Sequence, residues 1–258
     1  MDASGDSIRE PAGAEPPPLP ESLPAQARPW GFWSSLGWLV LTYFGISLVV
    51  GVLILLCGFS PEPLNGDSLT AGGLLSSVLV VVALAGCIRL RRGWTVRDYS
   101  AINATRISTI ILWIAALLSW SALFDFIQML TGRPVVPEVM VQSYNSASIK
   151  PLLFLYVIFG APIVEEFALR GFLFRGWAQS RIGPWAAMVL ISILFAVLHV
   201  QYDLVNIAFT GSVGMILALA RYKTGSLLPC VFMHAAINLV ASLQLLYVVW
   251  QAETVPNV

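Results

Sequence analysis

The chain has 258 residues, 57% hydrophobic and only 11% charged, with 14 Lys+Arg against 14 Asp+Glu. A soluble globular domain carries roughly a quarter charged residues, so the composition excludes one, and the balanced charge offers no basic surface for a nucleic acid. The expectation is an all-α, polytopic transmembrane helix bundle.

In chain order, residues 1–33 are polar and carry Pro16, Pro17, Pro18, Pro20, Pro24 and Pro29. They lack the apolar stretch of a signal peptide and read as a disordered, Pro-rich cytoplasmic tail. A membrane span needs about 20 mostly apolar residues. Such runs fall near 34–58, 70–90, 107–130, 151–177, 184–200, 203–221 and 226–250, about seven spans in all. The first three form an N-terminal helical region, 34–130, and the others a second region, 150–250. Pro61 and Pro63, Arg91-Arg92-Gly93, Gly132 and Pro134, Gly183-Pro184 and Gly225 break the connections.

Gly72-Gly73, Gly211 and Gly214 read as sites of close helix packing. Trp33, Trp38, Trp94, Trp177, Trp185 and Trp250 fall near span ends, where amphipathic rings favour the headgroup region. Cys57, Cys87 and Cys230 show no metal-binding or disulfide spacing and read as small packing residues. Basic residues gather before the first span, at 89–106, after the fourth span and at Arg221 and Lys223. That bias puts the N-terminus in the cytoplasm.

The chain has two histidines, His199 and His234, and each lies within an apolar run. A charge at bilayer depth costs about 2.5–3.5 kcal/mol on insertion scales, so ionisable groups kept there point to function. Glu166 and Arg170, four apart on one helix face, are expected to pair, which leaves Glu165, about 100° away, free for another partner. His234 and Asn238 share one face of the last run. Taken singly, these residues also suit an interfacial ion pair or interhelical packing. Together, a carboxylate, two imidazoles and an amide on three spans suit water activation and oxyanion stabilisation around one hydrated catalytic cavity. The fifth run is only about 24 Å long against a hydrocarbon core near 30 Å, so the turn after it should lie below the surface, against water or protein. Straight helices would set Glu165 and His234 at a different depth from His199; a kinked or tilted fourth or fifth span is needed, and Pro162 supplies a kink.

The motifs Glu165-Glu166-x-x-x-Arg170, Phe195-x-x-x-His199 and His234-x-x-x-Asn238 occur in this order. They resemble the signature of the CAAX-protease and bacteriocin-processing family (CPBP, or ABI) of intramembrane endopeptidases, over roughly residues 150–245. The resemblance implies that Glu165 is the general base that polarises a water, shared with His199. It implies that His234 and Asn238 stabilise the oxyanion, and that Glu166 with Arg170 holds the first motif's helix in place. Metal-free hydrolysis is favoured; the alternative is zinc held by Glu165, His199 and His234. The implied partners are membrane lipids and a peptide or protein substrate, prenylated in the CAAX branch. The implied location is a bacterial-type plasma membrane, in a multi-pass arrangement. The competing readings are a non-catalytic immunity or scaffold factor and a small transporter.

Overall fold

The computed structural model describes residues 28–60, 62 and 65–254. Residues 1–27 of the Pro-rich tail and the expected breakers Pro61 and Pro63 lie outside the described residues. Among the described residues the regular elements are helical: α1 (Phe32–Leu56), α2 (Gly66–Leu90), α3 (Val96–Ser100), α4 (Ile107–Leu130), α5 (Glu138–Ser146), α6 (Lys150–Ala178), α7 (Gly183–Val197), α8 (Leu204–Thr224) and α9 (Leu228–Thr254). Six of them, α1, α2, α4, α6, α8 and α9, are long and apolar enough to cross a membrane. The seventh expected span, α7, has only 15 residues. It ends at Val197, so His199 sits in the turn that follows the helix rather than on it.

Capping residues explain where the helices start. The Asn65 side chain accepts from the N–H groups of Asp67 and Ser68, both at 3.1 Å, so α2 begins four residues before the apolar run does. Asp203 likewise accepts from Val205 N–H at 2.8 Å and Asn206 N–H at 3.1 Å, which starts α8 and closes the His199 turn. Gly225 ends α8 in the left-handed region at φ +63°, where its N–H still bonds Arg221 O. The short α3 and α5 were not expected, since neither carries an apolar run.

Helix α6 runs through the centre of the bundle, and every residue of Phe167–Leu173 is buried. Around it the core is built from Leu84, Ile88, Leu117, Phe172, Phe195 and Leu217. Leu48, Val78, Leu112, Ile193 and Leu243 point outward and are more than half exposed, the pattern of side chains that meet lipid tails. The glycines allow close approach, as expected: a Cβ on Gly73 would collide with the Tyr156 ring, and one on Gly214 would come within 3.1 Å of Phe195. Trp33, Trp185 and Trp250 are well exposed near helix ends, but Trp177 is not. It is buried, donates its indole N–H to Phe32 O at 3.2 Å and stacks on the Phe32 ring, so it serves packing rather than a headgroup belt.

Pro162 does not break α6. The helix widens to π-type turns on either side of it, at Tyr156–Gly160 and at Phe167–Leu173. A proline has no N–H to give, and in the wide register the carbonyl left without a donor is that of Val157, five residues back. Asn238 of α9 fills the gap, donating its side-chain N–H to Val157 O at 2.8 Å.

Candidate active site

The site is organised by a fully buried ion pair on α6. Arg170 Nη1 donates to Glu166 Oε1 at 3.0 Å, and both side chains are wholly shielded from solvent. Such a pair in a low-dielectric interior persists only with further hydrogen bonds around it. They come from α8 and α9: Arg170 Nη2 donates to Gly214 O at 2.8 Å, and His234 Nδ1 meets Glu166 Oε1 at 2.9 Å. Arg221 of α8 donates back to Arg170 O at 3.1 Å. The Arg170 guanidinium also lies over the Phe195 ring of α7, 4.8 Å from its centroid. Three helices are thereby fixed against α6 by one cluster of charges.

Phe195 stands between the two histidines. Its ring centroid lies 4.8 Å from that of His199 and 5.5 Å from that of His234, with both imidazoles tilted edge-on to it. The hydrogen bonds set how each imidazole is protonated. His199 Nδ1 lies 2.8 Å from Phe195 O, and a carbonyl only accepts, so Nδ1 carries the proton and Nε2 keeps its lone pair when the ring is neutral. His234 Nδ1–H points at the Glu166 carboxylate, which fixes that ring with Nε2 turned the other way.

His199, His234 and Asn238 line one partly open cavity of about 130 Å³, together with Phe195, Tyr202, Asn206, Gln244 and Asp125. Val135, Pro137 and Met140, from the segment between α4 and α5 and from α5 itself, close one side of it. Outside that wall, Arg133 and Asp203 form an ion pair at 2.9 Å that ties the segment to the His199 turn.

Glu165 does not line this cavity. It faces a small hollow bounded by Leu39, Tyr43, Phe44, Leu169, Leu194 and Leu198. Its Oε2 is sealed from solvent and accepts no hydrogen bond among the described residues. The structure therefore brings together both imidazoles and Asn238, joins Glu166 to His234 as well as to Arg170, and sets Glu165 on a neighbouring face beside Leu198, the residue that precedes His199. Among the described residues, no three His, Cys, Asp or Glu side chains converge as a metal would require. The donors considered for zinc, Glu165, His199 and His234, are not assembled as a ligand set in this geometry.

Sequence reasoning missed Asp125 and Gln244. Gln244 Nε2 donates to Asp125 Oδ2 at 2.8 Å, joining α9 to α4 across the cavity. A signal was available, because Asp125 is the one charged residue in the 107–130 run.

Fold and site define a polytopic, all-helical membrane protein with two hydrogen-bond-oriented histidines on one cavity. Residues 147–240 match the family model Rce1-like, the type II CAAX prenyl endopeptidase Rce1-like family. The match contains all three motifs and supports assignment to the CPBP, or CAAX-protease, family. No curated protein and no solved structure gives a significant match.

Proposed function

We propose that the protein is an intramembrane endopeptidase that cuts a membrane-associated or lipid-anchored protein or peptide. The observation that carries the reading is the pair of oriented imidazoles on one cavity, each ring fixed by a hydrogen bond from Nδ1 and each with Nε2 left for chemistry. Glu165 acts as general base once the Leu198–His199 turn, which separates its unpartnered Oε2 from the cavity, opens as substrate binds and lets that oxygen reach the water. His199 Nε2 shares the water. As the water oxygen bonds to the scissile carbon, one water proton passes to Glu165. The new oxyanion is met by the Asn238 N–H that Val157 does not use, beside the His234 ring that Glu166 holds in place. When the C–N bond breaks, Glu165 returns the proton to the departing amine, leaving a carboxylic acid and an amine, between which the acid's proton then passes. Glu166 and Arg170 touch no substrate atom and hold His234 in position. The bias in basic residues puts the N-terminus and the 89–106 loop in the cytoplasm.

The test uses purified protein in proteoliposomes and a peptide ending in a farnesylated Cys-aliphatic-aliphatic-X sequence, with its unprenylated counterpart, products being read by mass spectrometry. Wild type should release a C-terminal fragment. Glu165→Gln and His234→Ala should each abolish release while the variants remain inserted. Unimpaired cleavage by Glu165→Gln overturns the assignment. If neither peptide is cut, proteins captured by the Glu165→Gln variant in native membranes should be trimmed by wild type; if they are not, the endopeptidase reading fails.

A further inference from the structure

We infer that Asp125, with Gln244, is a specificity-determining site that selects substrates by a cationic side chain, the ammonium of Lys or the guanidinium of Arg. The inference rests on the reading that the histidine cavity holds a peptide.

An ionisable residue in an apolar span that faces a cavity rather than lipid is a mark of function. Asp125 is such a residue: it is half-buried on α4, lines the cavity, and its Oδ2 accepts from Gln244. Its Oδ1 accepts no hydrogen bond among the described residues and is not sealed off. No Lys or Arg is among the described residues lining the cavity. The nearby cations are already engaged, Arg133 with Asp203 and Arg170 with Glu166. The titratable groups that share the cavity are His199, His234 and Tyr202. A carboxylate there, without a cation of its own and in a setting that strengthens Coulombic attraction, is complementary to a positive group brought by the substrate.

Geometry sets where that group must lie. His234 and Gln244 are ten residues apart on α9 and Asn238 and Gln244 six apart, or about 15 Å and about 9 Å along the helix at 1.5 Å per residue. An extended peptide advances about 3.3 Å per residue. A side chain that reaches Asp125 while the scissile bond sits at His234 and Asn238 is thus roughly three to five residues from the cut.

The test uses the full-length protein in nanodiscs and a series of neutral apolar decapeptide amides, each with one lysine at a successive position, against the norleucine counterparts. Binding is read from the shift in thermal unfolding midpoint and from tryptophan fluorescence titration, and cleavage by mass spectrometry. Wild type should bind its preferred lysine peptide at least tenfold more tightly than the norleucine peptide. Asp125→Asn, which keeps an acceptor for Gln244 and removes the charge, should reduce that preference below about threefold, and Asp125→Glu should restore it. Equal binding of the two peptides by wild type, binding of neither, or an undiminished preference in Asp125→Asn overturns the inference. Charge-selective binding that depends on Asp125, without cleavage, supports this site and counts against the endopeptidase reading. Cleavage indifferent to the lysine supports the endopeptidase and sinks the Asp125 assignment. If Asp125→Asn does not fold, Gln244→Lys carries the test: it keeps Asp125 but gives it a cation of its own in place of the Gln244 donor, and should reduce the preference below about threefold, an undiminished preference overturning the inference.

Discussion

Replacing Glu166 by Leu removes the acceptor of two hydrogen bonds inside a fully buried cluster, from Arg170 Nη1 at 3.0 Å and His234 Nδ1 at 2.9 Å. Arg170, wholly shielded from solvent, then carries its charge with only the Gly214 carbonyl and the face of the Phe195 ring beside it, and no anion. Leaving one member of a buried ion pair alone costs about 3–5 kcal/mol, and Arg170→Met should cost a similar amount by stranding Glu166. Changing both to apolar residues removes the charge problem and leaves mainly the His234 N–H without a partner, about 1–3 kcal/mol. The double variant should therefore be more stable than either single one, with a coupling energy of roughly 3 kcal/mol or more. Unfolding by SDS in mixed micelles, followed by tryptophan fluorescence, measures all four corners of the cycle. Additive effects, with the double variant the least stable, would refute the view that the pair is mutually dependent. Cleavage should be lost at all three variants, including the stable double one, because His234 loses its orienting acceptor in the double variant as well.

The same assay tests the proline repair in α6: Asn238→Leu should cost about 1–3 kcal/mol by leaving Val157 O without its donor, and Pro162→Ala in that background should recover part of the loss by supplying a backbone N–H. A Pro162→Ala change that recovers nothing would show that Val157 O is not the relevant acceptor. At the outer wall of the cavity, burial works against ionised Asp203, but the N–H groups of Asn206 and Val205 and the Arg133 guanidinium hold its carboxyl below the usual value. A depressed carboxylate stabilises above its unfolded value, near pH 3.9, and the benefit is lost as pH falls through the lower folded value. With side chains 39% and 50% exposed, the Arg133–Asp203 pair should contribute less than about 1 kcal/mol. Asp203→Asn should flatten the pH dependence of unfolding below pH 4, and a larger loss at neutral pH would contradict this estimate.

The apolar runs at 34–58, 70–90, 107–130, 151–177, 203–221 and 226–250 were legible because a span is a local property of composition, and the six long helices follow them closely. The Glu166–Arg170 pair was legible because both residues lie one turn apart on one helix. His199 was placed on a helix because the run continues to Leu198, whereas α7 gives way to a turn closed by the Asp203 cap. The additional bond from Glu166 to His234, the reach of Asn238 to Val157 and the Asp125–Gln244 pair join residues 68, 81 and 119 positions apart. Spacing along one helix carries no information on such pairings, which depend on how α6, α4 and α9 are rotated against each other. The position of Glu165 on a face next to the cavity, rather than in its lining, has the same origin.

The charge cluster on α6 bears on biogenesis. Glu166 and Arg170 enter the membrane in one helix, but Gly214 and His234, which add a hydrogen bond to each, belong to helices made later, and Glu166 precedes His234 by 68 positions. At a synthesis rate of about 5–20 residues per second that interval is roughly 3–14 s. During it α6 carries partly unsatisfied charges that bare lipid would penalise, so it must shelter beside the translocon or an insertase until α8 and α9 emerge. A nascent chain stopped after α8 should accordingly be a preferred substrate for membrane quality control.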